Sequence, residues 1–144
     1  MNSRILTAFL FLTLLTIGCS KHTVKHKLQD SNTFIITEFA TDETYGYTEE
    51  NPVKVGGVND SEGPLNERRF LNALAGPSGE KISYERKGNC CMFETPNGFL
   101  GGGLLDIYEV TWSGQKEPVQ IYINMYDSDL LKVPVGMPLK NPIN

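Results

Sequence analysis

Histidine is almost missing from this chain: there are two, His22 and His26, both near the N-terminus. Ser/His/Asp and Cys/His centres need an imidazole beside the nucleophile, so a domain that begins after residue 32 has none to supply. Cysteine is also scarce, at three residues. Two adjacent thiolates alone do not complete a tetrahedral zinc shell, and the chain carries no other motif for a metal or a cofactor. Basic charge is short, with 13 Lys and Arg against 17 Asp and Glu and a net charge of −4. A binder of phosphate backbones shows a basic face, so nucleic acid is not an expected partner. No apolar run reaches the roughly 20 residues that a spanning helix needs.

What the chain does have is a leader. Arg4 is followed by an apolar stretch from Ile5 to Ile17 broken only by Thr7, Thr13 and Thr16, then by Gly18-Cys19. An apolar run of about 7–15 residues ending at small residues is the pattern of a cleaved export signal. Leu15-Thr16-Ile17-Gly18-Cys19 resembles the lipobox of bacterial lipoproteins, which implies cleavage before Cys19 and a diacylglyceryl thioether on its sulfur. The favoured pattern has Leu three residues before the cysteine, where this chain has Thr16. An ordinary signal peptide with Cys19 incidental is the alternative. Ser20, in place of an acidic residue, resembles sorting to the outer membrane, facing the periplasm.

Residues 20–32 are polar and without periodicity, and include the basic cluster Lys21, His22, Lys25, His26 and Lys27. They read first as a soluble spacer that lifts the domain off the bilayer, with a tether near anionic head groups as the alternative. The expected organisation is therefore a signal peptide at 1–18, a lipidated cysteine and tether at 19–32, and a single domain at 33–144.

Thr33 to Phe39 reads as a strand buried on both faces, and Thr41 to Gly63 as a long loop with a short extended piece at Val53 to Val55. Gly63-Pro64 opens a helix from Pro64 to Ala75, with Gly76-Pro77 as the stop. Phe70, Leu71 and Leu74 share its apolar face, and Glu67 projects near the centre of that arc, either as a site carboxylate or as favourable charge at a helix start. Lys81 to Lys87 alternates as a strand. Leu104 to Trp112 and Val119 to Tyr126 form an antiparallel hairpin, with Ile121 and Ile123 on its apolar face. Leu130 to Val135 adds an edge strand, a position that suits Pro134. The fold expected is α+β: an antiparallel sheet with one main helix packed on a face.

If Cys19 carries lipid, Cys90 and Cys91 can pair only with each other. Adjacent Cα atoms lie about 3.8 Å apart, below the usual disulfide separation. The two readings are a vicinal disulfide or redox pair, and two free thiols. Gly98 to Gly103 is rich in glycine, but a phosphate loop must lead into a helix, and this one leads into a strand. Gly101, Gly102 and Gly103 instead suit a bulge, a positive-φ turn or a close backbone approach, with a ligand-facing bend beside Cys90 and Cys91 as the alternative. Asp106 interrupts the apolar face made by Leu104, Tyr108, Val110 and Trp112 and joins Glu67, Glu85 and Glu109 as a candidate carboxylate. Asp127-Ser128-Asp129 reads as a solvated turn rather than a calcium loop.

Tyr45 to Gly57, Gly63 to Leu74, and Cys90-Cys91 through Asp106-Ile107-Tyr108 together look like a family of small uncharacterised bacterial lipoproteins. Some members carry the automatic name 2-dehydro-3-deoxyphosphooctonate aldolase. The enzymes that bear that name by activity are barrels of about 250 residues, which a domain at 33–144 cannot hold. The resemblance implies lipidation and one domain, and it supplies no catalytic residue. The reading is a membrane-anchored envelope protein whose domain is a structural module or binds an envelope protein or small ligand through the Cys90 to Gly103 region. The alternative is an envelope enzyme or redox protein that uses Cys90 and Cys91.

Overall fold

The computed structural model describes residues 24–140. Cys19 and the leader lie outside the described residues, and among those described no helix is long and apolar enough to cross a membrane. The architecture is α+β. Strands β1 (Leu28–Asp30), β2 (Thr33–Phe34), β3 (Glu38–Phe39) and β4 (Val53–Lys54) precede helix α1 (Gly63–Leu71). Strands β5 (Ser83–Glu94), β6 (Gly102–Thr111), β7 (Val119–Asn124) and β8 (Lys132–Val133) follow it.

The main sheet has the order β4-β7-β6-β5, antiparallel except for the parallel β4–β7 pair. β6 and β7 form the hairpin expected from alternation, with Asp106 opposite Ile123 and Tyr108 opposite Ile121. Period-2 geometry sends Asp106, Tyr108 and Val110 to the face covered by α1, and Leu105 to the other. Val53, Phe70, Leu71, Val110, Ile121, Ile123 and Val133 are fully buried and form the centre of the core.

Four expectations are corrected. Residues 24–32 are not a free tether. β1 pairs with β2, Ile35 N donates to Lys27 O, Arg69 Nε donates to Ser31 O and Asn72 Nδ2 to Asn32 O. The backbone carbonyls of a polar segment make these contacts, so the packed fold starts by residue 24. Thr33 to Phe39 is two short strands instead of one: β2 pairs with β1, and β3 runs parallel to β8 in a separate two-stranded sheet. Phe39 is 60% exposed, while Phe34 and Ile36 are buried.

The helix ends at Leu71, before its Gly-Pro stop signal. Residues 138–140 take its continuation: Ala75 N donates to Pro138 O, Lys140 N to Ala73 O, and Leu74 bridges Leu139. Finally, β5 runs well beyond Lys87 to Glu94. Its register on β6 shifts between Arg86 and Gly88 and again between Cys90 and Met92, so two extra residues are absorbed as bulges.

Candidate functional site

The second bulge holds the two cysteines. Cys90 pairs with Leu105 and Met92 with Leu104, which leaves Cys91 as the inserted residue with φ 58°. Cys90 and Cys91 are joined by a disulfide, with Cα atoms 3.7 Å apart. Beside them lies a groove of about 430 Å³ on the sheet face opposite the helix. Its apolar walls are Pro52, Met92, Phe93 and Leu105; Glu49, Glu50, Glu94 and Asp127 stand around it against one amine, Lys54. The carboxylate of Glu49 comes within 4.8 Å of both sulfurs. A joined pair of sulfurs is not a pair of thiolate donors, so this trio gains the donor set for a soft cation only once the bond is reduced.

Asp127 fixes one end of the groove. Its carboxylate accepts from Thr95 Oγ1 at 2.6 Å, Asn97 Nδ2 at 3.0 Å and Asn124 Nδ2 at 3.0 Å. Partial burial works to raise its pKa, but these bonds and the Lys54 charge outweigh it and hold the carboxyl below its ordinary value. Asn124 Oδ1 in turn accepts the backbone N–H groups of Tyr126 and Asp127. The Asp127 to Asp129 stretch is thus a braced corner, where a solvated turn was expected.

Gly101 to Gly103 and Asp106 were the sequence's candidates for a ligand-facing bend and a site carboxylate. None of the four lines the groove. Gly103 is needed for packing, because a Cβ there would meet Phe93 and Tyr126 at 2.9 Å, whose rings lie edge to face. Asp106 lies on the helix-covered face, 4% exposed, and accepts a two-pronged bond from Arg86 at 2.6 and 2.7 Å.

Above Asp106 lies Glu67, fully buried rather than serving the helix start. Glu67 Oε2 accepts the Tyr108 hydroxyl at 2.9 Å. Burial, reinforced by the charge of Asp106, pushes its pKa up to about 8, against the opposing pull of Tyr108 and Arg86. Oε1 has no donor. With the carboxyl protonated at neutral pH, that oxygen becomes a donor directed to Asp106. Tyr108 is likewise raised by burial and by Glu67. Neither Glu67 nor Asp106 lines the groove, so this cluster joins helix to sheet away from it.

The expectation that no histidine belongs to the domain is overturned. His26 packs edge-on against Phe34, and its Nε2 lies 3.1 Å from Ser128 Oγ. Burial lowers its pKa, opposed by a bond to the Val55 backbone and by Asp129. The Ser128 hydroxyl donates to Val24 O at 2.6 Å, so its proton is committed to a backbone carbonyl. The pair works as a latch on the N-terminal segment. It borders a second cavity of about 460 Å³, with Arg69, Glu62 and Asp60 on its wall.

No family model, no curated protein and no solved structure matches this chain.

Proposed function

We propose that this chain is a bacterial envelope lipoprotein, cut before Cys19 and anchored by lipid on that cysteine, whose domain binds a ligand in the groove beside Cys90–Cys91. The observation that carries the binding reading is the composition of that groove: four carboxylates and one amine around Met92, Phe93 and Leu105. Such a lining favours a partner with a positive group on an apolar body, either a small amine or a basic segment of another envelope protein. No catalytic residue is assigned.

Titration of the mature chain with octylammonium, followed by amide NMR, tests it. Shifts are expected at Glu49, Phe93 and Glu94, and Glu49→Gln or Glu94→Gln should weaken binding about two- to fivefold each, the range of an exposed charge pair. Shifts elsewhere, or affinity indifferent to both substitutions, would rule the groove out.

The disulfide supports a second reading, a reversible redox pair. A partner dithiol would deliver two electrons and two protons to Cys90–Cys91, leaving two thiols here and a disulfide on the partner.

A further inference from the structure

The end of the β5–β6 hairpin carries large apolar side chains that nothing among the described residues covers. Phe99 is 87% exposed, Leu100 91% and Met92 83%. Leu100 is also held in the left-handed region, at φ 53°, a conformation unfavourable for leucine and repaid here by no packing. The loop is nonetheless firmly built. Thr95 N donates to Gly101 O, Gly98 N to Thr95 O and Gly101 N to Gly98 O. A Cβ on Gly98 would collide with the backbone oxygen of Gly102. A braced loop that turns Phe99 and Leu100 outward is a feature to explain, because strained backbone clusters at functional positions and exposed apolar patches mark protein or membrane contact sites.

Its position supplies the explanation. Thr95 and Asn97 both bond to Asp127, and Asn97 also meets Asn59 at 3.4 Å. The adjacent residue, Ser128, holds Val24 through the carbonyl bond described above, and Asp60 and Val24 line the same cavity. The apolar loop and the point where the chain leaves toward Cys19 therefore lie at one end of the domain. Four residues lie between Cys19 and Val24, and the five Cα steps reach at most about 18 Å. Lys25 and Lys27 are exposed on the departing segment, where anionic head groups favour them.

We propose that the Met92, Phe99 and Leu100 end of this hairpin rests in the interfacial layer of the membrane that holds Cys19, giving the domain a second, noncovalent contact with its bilayer. The proposal rests on the lipid-anchor reading. It fixes the domain upright, with β6 running away from the membrane. Trp112, the single tryptophan of the chain, then lies about 30 Å further out along the ten residues of β6.

That tryptophan provides the internal control. The acylated mature chain is placed on vesicles of phosphatidylethanolamine and phosphatidylglycerol, and on matched vesicles with brominated acyl chains. In Leu100→Trp with Trp112→Phe, emission should shift to the blue on vesicles and fall several-fold with bromine. Wild-type Trp112 should respond to neither. Leu100→Trp with Trp112 retained gives the same bromine-sensitive component if Trp112→Phe fails to fold. Bound, acylated protein with unquenched Trp at position 100 overturns the proposal while the anchor stands. A blue shift without bromine quenching overturns it in favour of a second copy of the chain covering the loop. Unacylated Cys19 with protein left in solution overturns the anchor, and this proposal with it.

Discussion

Tyr108 donates its hydroxyl to Glu67 across the helix–sheet junction at 2.9 Å, and both residues are buried. The bond is compatible with a neutral Glu67, whose pKa lies near 8 in the folded chain against an ordinary value of 4.5. Between those values the folded state holds a proton that the unfolded state releases. Stability is therefore full below about pH 4.5 and declines as pH rises through about 8, by up to about 1.4 kcal/mol per pH unit. Glu67→Gln keeps the shape, accepts from Tyr108 and donates to Asp106 without titrating. Urea melts from pH 5 to 9 should show the decline in wild type and a flatter profile in the variant. Parallel profiles would remove the assignment.

Arg86 satisfies both oxygens of a nearly inaccessible Asp106. Because Arg86 is itself half exposed, water replaces part of what it supplies. Arg86→Met should cost about 1–3 kcal/mol, read as a lower denaturation midpoint. A loss of a few tenths would mean that the bidentate pair contributes little.

Alkylation and mass spectrometry should find Cys90 and Cys91 blocked in native protein and both reactive after reduction. A crosslink between neighbours closes almost no loop, so the chain-entropy contribution is about 1 kcal/mol or less. The reduced domain should stay folded with a slightly lower Tm. Thiols that stay unoxidised and closed to alkylation both before and after reduction would exclude the redox pair.

Under the anchor proposal, Cys19→Ala should abolish incorporation of labelled fatty acid and release the protein from membranes, since the lipid proposed on Cys19 would contribute about 0.8 kcal/mol per buried methylene. Unchanged labelling would refute the anchor.

Regular alternation made β6 and β7 readable from sequence, and Gly63-Pro64 marked the start of α1. Glu67 could be placed on the apolar arc of its helix, and Asp106 on the same strand face as Tyr108. What joins them is a contact 41 residues apart in the chain, which no local pattern encodes. β5 was cut short because the bulges at Lys87 and Cys91 break the period-2 signal. The N-terminal segment was mistaken for a tether because its contacts use backbone oxygens at Val24, Ser31 and Asn32, to which side-chain composition is blind. His26 was left outside the fold with that segment, because its ring meets Ser128 from 102 residues away, beyond any local pattern.

The pairing of residues 73–75 with 138–140 has a temporal consequence. A chain that emerges N-terminal end first completes α1 long before Pro138 and Lys140 are available, so the polar groups just beyond the helix wait for partners through half of the emergence. Closure of that junction waits on residues 138–140, and a stall before residue 138 would leave Leu74 without its bridge to Leu139.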